Sequence, residues 1–280
     1  MDEPVRNMKY LIVTMASALI AMLAASAVTA GELQQSARFE YSNVRLLAGA
    51  SSAGQWSAGV EIGMAPGWKT YWRVPGDAGV PPHFEWKGST NLDKVEIDWP
   101  APKRYYDEAG ESIGYKDQVV FPMTVTPKDP AKPVRLVLDL FYAVCKDICI
   151  PGSAKLAMTL ADPAGSPADV SLIAEYRGKV PARTHDRIKI EQVAVEDYDN
   201  ALVLAVKLTG GDPASRTDIF VEGSDEIHFR KPKLAMEQAS SKIYHLKIDG
   251  AKSANQLKGL NLTLTIVDEA GAVSGQTTIN

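Results

Sequence analysis

Cysteine is nearly absent: the 280 residues contain two, Cys145 and Cys149. A scaffold stapled by several disulfides is thereby excluded, and so is a zinc site closed by four thiolates. Histidine is scarce as well. His83, His185, His228 and His245 stand far apart, without the paired spacing of a metal motif. There is no block of lysines and arginines, and 30 basic against 34 acidic residues leave a formal charge of -4. Nucleic acid is therefore not an expected partner. Beyond residue 30 no apolar run is long enough to cross a bilayer. A serine-hydrolase elbow is missing too, because the G-x-S-x-G register begun at Gly49 fails at Ala53.

What is present begins with an export pattern. Arg6 and Lys9 precede the apolar run from Leu11 to Leu23, and Val28-Thr29-Ala30 offers a small-residue cleavage site before Gly31. This predicts a secretory signal peptide over residues 1–30. The mature chain is expected not to span a membrane and to work where disulfides persist, which points to a bacterial periplasm.

The rest reads as strands and turns. Seventeen prolines and 21 glycines are spread between short apolar runs, the texture of an all-β body. Val44–Leu47, Trp56–Met64, Val119–Thr126 and Val134–Tyr142 read as strands. Trp68, Tyr71, Trp72, Phe84 and Trp86 read as sandwich core, given the large area each ring buries. Residues 100–118, with Tyr105, Tyr106 and several prolines and glycines, read as a long polar connection.

The two cysteines flank Lys146-Asp147-Ile148. On a straight strand, residues four apart are separated by about 13 Å, at roughly 3.3 Å per residue. A disulfide needs Cα atoms within about 4.4–6.8 Å, so the bond requires a bend at 146–148. Strand-forming flanks make this a β-hairpin with the cysteines facing each other across its tip. As a staple the pair is inefficient: in the chain-entropy model a five-residue loop gives only about 2 kcal/mol, against about 4.7 for a 100-residue loop. Three uses stay open on these grounds. They are redox cycling, Cu(I) binding by both thiolates with Met64, Met123 or Met158, and a local staple in an interaction module without chemistry.

Cys145-Lys146-Asp147-Ile148-Cys149-Ile150-Pro151-Gly152 after an apolar strand resembles the N-terminal periplasmic domain of DsbD-type thiol:disulfide interchange proteins, in the branch that includes the copper-sensitivity suppressor ScsB. Gly67-Trp68-Lys69-Thr70-Tyr71-Trp72-Arg73-Val74-Pro75-Gly76-Asp77-Ala78-Gly79 matches as well, as does Trp99-Pro100-Ala101-Pro102 through Gly114–Pro122. The resemblance covers residues 40–160 specifically. It implies that Cys145 and Cys149 are the catalytic pair, exchanging electrons with thioredoxin-like periplasmic proteins and needing no cofactor or metal. It implies a cap loop over the pair, here Tyr105, Tyr106, Asp107 and Glu108. The family's best-known cap carries phenylalanine where Glu108 stands. Family members continue into a membrane electron carrier and a thioredoxin-like domain. Neither is recognised in this chain, so the expected electron source is a separate membrane electron-carrier protein.

Past Leu160 the texture changes. Ser166-Pro167-Ala168-Asp169 is a helix start, with Ser as N-cap and Pro at N1, and Val170, Ile173 and Ala174 give the helix an apolar stripe. Gly178 and Pro181 end it. Residues 187–280 alternate again, without cysteine or a phosphate loop. The expected fold is all-β: two immunoglobulin-like β-sandwich domains joined by a linker with a short helix. The expected divisions are 1–30 signal peptide, 31–162 redox domain, 163–186 linker and 187–280 second sandwich.

Overall fold

The computed structural model describes residues 33–279, apart from 78, 108–109, 162–164, 184–187, 211–215, 225, 239 and 270. The expected signal peptide lies outside the described residues. Among them, no helix is long and apolar enough to cross a membrane.

The first half is a two-sheet sandwich of β1 (Ser36–Arg38), β2 (Ser42–Ser52), β3 (Gln55–Met64), β4 (Lys69–Gly76), β5 (His83–Glu85), β6 (Leu92–Ile97), β7 (Lys103–Asp107), β8 (Gly110–Lys116), β9 (Gln118–Pro127), β10 (Val134–Cys145) and β11 (Cys149–Leu160). One sheet has the order β1-β2-β3-β9-β6; the other runs β11-β10-β4-β8-β7, with β5 also pairing β10. Alternate residues of β10 point inward, so Leu136, Leu138, Leu140, Tyr142 and Val144 join the main core. Their opposite neighbours, ending in Cys145, occupy the outer face. Of the rings expected in the core, Trp68 and Trp72 lie in it and Phe84 and Trp86 pack against it; Phe121 and Tyr115 fill it as well.

One expectation is corrected here. Residues 100–118 are not a plain connection but mostly the β7–β8 hairpin, paired from Lys103↔Gly114 to Asp107↔Gly110. Aromatic and β-branched residues in Arg104–Asp107 and Ile113–Tyr115 outweigh the flanking prolines and glycines once β4 supplies a partner for β8.

The helix α1 (Pro167–Arg177) starts as its sequence directs, with Ser166 Oγ accepting from Asp169 N at 3.2 Å. It lies on the outer face of the first sheet, where Ile173 sits over Gly59 and Val120. Ile173 and Tyr176 belong to the main core. The buried stripe is therefore Asp169, Ile173 and Tyr176, with Ala174 exposed. The Tyr176 hydroxyl reaches Gln118 O at 3.3 Å, and the buried face is turned about one position from the expected one.

The second half is a smaller sandwich. Its strands are β12 (Ile188–Tyr198), β13 (Ala201–Gly210), β14 (Asp218–Glu222), β15 (His228–Phe229), β16 (Lys233–Gln238), β17 (Ser241–Asp249), β18 (Asn261–Asp268) and β19 (Gly271–Thr278). One sheet is β12-β13-β17-β15 with β16 also on β17; the other is β14-β18-β19. Its own core holds Leu204, Val206, Leu246, Ile219, Leu264 and Ile266.

The two sandwiches meet through β14. Phe220 belongs to the first core and lies edge-on to Trp72, with centroids 5.8 Å apart. Arginines surround this contact. Arg73 grips Glu222 through two bonds of 2.6 Å, and the almost fully buried Arg104 is shared by Glu111 and Asp218. Such bidentate arginine–carboxylate pairs fix orientation as well as adding energy.

Candidate redox site

The site grows out of the β10–β11 hairpin. Twelve register pairs run from Val134↔Leu160 to Cys145↔Cys149, so the two cysteines close the ladder and the tip is Lys146-Asp147-Ile148. The chain bends as the spacing requires: Lys146 N donates to Ile148 O at 3.1 Å, and the cysteine Cα atoms stand 4.2 Å apart. Cys145 and Cys149 form a disulfide.

The two sulfurs have different surroundings. Cys145 is 2% exposed and packs with Tyr71 and Ala143 in a small cluster separate from the main core. Cys149 is exposed on β11, the outermost strand of its sheet. Exposed apolar residues lie close by in the fold. Ile148 at the tip is 65% exposed, and Phe141, on the same face as Cys145, is 42% exposed.

Sequence reading passed over Tyr71 as a core ring. In β4, Thr70 pairs with Val144 and Lys69 with Cys145. Directly paired residues share a face, so Thr70 points to the core and Lys69 and Tyr71 to the outer face beside Cys145. Thr70 locks the register by donating to Ala143 O at 2.8 Å. The Tyr71 hydroxyl donates to Cys145 Sγ at 2.8 Å and also lies 3.2 Å from Cys149 Sγ. The signal was the alternation of Lys69 and Tyr71 with Thr70 and Trp72, which sets Tyr71 on the opposite face from Trp72. Gly79 then covers the ring, since a Cβ at that position would come within about 2.5 Å of Tyr71 Cδ1.

The expected cap residues divide by strand alternation. Tyr105 lies on the outer face, and the Lys69 ammonium stands 5.9 Å from the centre of its ring. Burial, with Asp117 nearby, raises the Tyr105 phenol above its ordinary value. Tyr106 turns the other way, its hydroxyl donating to Glu111 Oε2 at 3.1 Å and Lys231 of the second sandwich 5.3 Å from its ring. Burial and the Glu111 carboxylate push the Tyr106 phenol to about 12. Asp107 ends β7; Glu108 lies outside the described residues. The structure thus brings together Cys145, Cys149 and Tyr71, with Tyr105 reaching toward them through Lys69.

Chemically, the arrangement suits thiol exchange: an exposed sulfur open to in-line attack, and an enclosed one with a hydroxyl ready to stabilise a departing thiolate. Copper ligation draws less support. Met123 and Met158 lie in the main core and Met64 packs against it, on the inner side of the sheet from Cys145. Among the described residues, no cluster of three or more His, Cys, Asp or Glu forms a metal site.

Residues 43–161 match the family model described as the N-terminal domain of the thiol:disulfide interchange protein DsbD. Residues 179–280 match a domain of unknown function. Among solved structures, the chain is similar to the N-terminal periplasmic domain of ScsB from Proteus mirabilis. The match has a TM-score of 0.68 and 25% identity, and covers 86% of this chain and 94% of that one. Among curated proteins, none matches the chain.

Proposed function

With residues 43–161 forming a DsbD-type N-terminal domain, we propose that the chain relays electrons between thioredoxin-like proteins of the periplasm through Cys145 and Cys149. A partner thiolate attacks Cys149 Sγ, the Cys145–Cys149 bond breaks, and Cys145 leaves as a thiolate held by the Tyr71 hydroxyl. The partner's second thiolate then attacks its own sulfur in the mixed disulfide and releases Cys149. Two electrons have entered the pair and the partner is left as a disulfide. Delivery to an oxidised protein runs the same steps in reverse. This is protein-disulfide reductase chemistry, and it uses no cofactor.

The observation that carries the reading is the asymmetry of the pair, one sulfur enclosed with Tyr71 and the other exposed at a sheet edge. The sequence supports export by a signal peptide over 1–30, with a mature protein beginning at Gly31, and a membrane electron carrier is the proposed source of electrons. We propose further that the redox domain occupies 31–162 and the second domain 187–280, with the linker helix fastened to the first.

The test is acid-quenched thiol trapping in the native periplasm, with and without the candidate membrane reductant. The expected result is a reduced pair in its presence and a disulfide in its absence. A pair oxidised under both conditions would leave only the staple.

A further inference from the structure

The first sandwich has an open side next to Cys149. Between β1 and β11 the side is closed at its far end, where Ala157 N donates to Gln34 O at 3.0 Å. Toward the cysteines it leaves a notch of about 110 Å³, with Phe39 and Tyr41 on one wall, Ile150, Pro151 and Gly152 on the other, and Tyr142 between them. Gly152 makes part of this room, since an added Cβ would stand 3.0 Å from the Tyr142 ring. Ile150, Pro151 and Gly152 follow Cys149 directly along β11. The notch therefore begins one residue, about 3.3 Å of strand, from the exposed cysteine.

The walls are fixed and largely apolar. Phe39 N donates to Ser42 O at 2.8 Å, and Ala65 N donates to Tyr41 O at 2.9 Å. The Tyr41 ring stacks on Trp68 with centroids 4.2 Å apart. The Ser42 and Tyr142 hydroxyls satisfy each other at 2.8 Å. Glu40 is the one charged residue of the lining. Phe39 meets Tyr142 edge-on at 6.5 Å and still stays 44% exposed. On the other side of Cys149 in the chain, Ile148 is 65% exposed. Apolar surface thus brackets the sulfur that is open to attack. The volume is far below the roughly 300–1,000 Å³ of a small-molecule site, and is on the scale of a single side chain.

We propose that the notch is a specificity pocket for the exchange reaction. It takes an aliphatic or aromatic side chain that a thioredoxin-like partner carries beside its reactive cysteine, and so sets the partner's sulfur against Cys149. Phe39 is a positioning residue, since it shapes the pocket and touches neither sulfur. The inference rests on the thiol-exchange reading above and adds the chemistry that the partner's surface must present. A protein bonded to Cys149 covers the notch, because a standard interface buries about 800 Å² on each side. Filled apolar pockets near the centre of such contacts carry much of the binding energy.

The test compares two reductants of the full chain: reduced thioredoxin, which brings a protein surface, and dithiothreitol, which brings none. Phe39→Ala should slow reduction by thioredoxin about five- to thirty-fold, the range of one lost anchor contact. The loss should fall on KM rather than on the rate at saturation, because binding is weakened and the sulfurs are untouched. Dithiothreitol should reduce Phe39→Ala as fast as wild type. Phe39→Leu should recover part of the loss, and Phe39→Asp, which puts a charge on the wall, should recover none. Leu234→Ala removes an equally exposed apolar side chain from the second sandwich and should leave both rates unchanged.

Equal thioredoxin rates in wild type and Phe39→Ala would overturn the pocket while leaving the relay standing. A matching loss in Leu234→Ala would overturn it too, by making the effect one of general surface hydrophobicity. So would a matching loss with dithiothreitol, which would place the effect on the disulfide itself. A wild-type disulfide that dithiothreitol opens and thioredoxin does not would refute the relay, and the pocket with it.

Discussion

The phenol hydroxyl of Tyr71 donates to Cys145 Sγ at 2.8 Å across the β4–β10 boundary. The donor comes from a strand 74 positions earlier in sequence, and Thr70 beside it is fixed to Ala143 O. A hydrogen bond to a charged sulfur is worth about 1.5–3 kcal/mol, far more than one to a disulfide sulfur. Its effect therefore appears when the bond opens and Cys145 carries charge. Tyr71→Phe keeps the ring under Gly79 and removes only the donor. It should therefore make the more enclosed thiol harder to ionise. Ultraviolet absorbance of the thiolate against pH checks this. An unmoved titration would mean that Tyr71 swings away on reduction.

Tyr105 and Tyr106 are adjacent in sequence but serve different surfaces. Tyr105 lies under the Lys69 ammonium on the disulfide's face of the sheet, whereas Tyr106 meets Glu111 and Lys231. Tyr105→Ala should remove the ring beside Lys69 and speed labelling of the reduced pair by a bulky reagent about two-fold, the scale of a weak cation–π contact. Tyr106→Ala should not change that rate. Equal effects from the two substitutions would return the shielding role to the hairpin as a whole.

The hairpin was legible because its evidence is local. Two cysteines four apart, between a strand-forming run and an Ile-Pro-Gly exit, require a bend there, and Cys145↔Cys149 closes the ladder. The start of the helix was legible for the same reason, since Ser166, Pro167 and Asp169 act within one turn. Tyr71 was not. Its role depends on β4 being inserted between β10 and β8, an order that no local pattern specifies. In sequence it is one more ring among Trp68, Trp72 and Phe84, all of which do pack against or within the main core. The arginines between the sandwiches were hidden in the same way. Arg73 with Glu222 and Arg230 with Asp77 are separated by 149 and 153 positions, and each residue alone reads as solvated charge.

The helix sets where the first sandwich can be cut. A boundary at residue 162 would remove Ile173 and Tyr176, both members of the main core, together with the Asp169–Arg45 pair at 2.8 Å. Burying an aliphatic or aromatic side chain contributes about 1.5–3 kcal/mol. A chain of residues 31–162 should therefore be less stable than one of 31–180, because it loses this packing and the Arg45 ion pair. Urea unfolding of the two measures the difference. Equal midpoints would make the helix a passive part of the linker.

The division of labour within the disulfide is the sharpest test of the site. An attacking thiolate must approach along the S–S axis, and this is open only at the sulfur whose far side is free. Cys145 is closed off by Tyr71 and Ala143, whereas Cys149 lies on an edge strand beside Ile150 and Pro151. A proline on that edge removes one pairing donor and discourages a further strand from covering it. Cys149 should therefore make the bond to the partner, and Cys145 should resolve it. With Cys145→Ser, a thioredoxin-like partner lacking its own resolving cysteine should be trapped as a covalent complex through Cys149. With Cys149→Ser, the remaining thiol is enclosed and little complex should form. Non-reducing electrophoresis reads both outcomes. The reverse pattern would show that the Tyr71 side opens to admit the partner, and no complex with either variant would count against exchange at this pair.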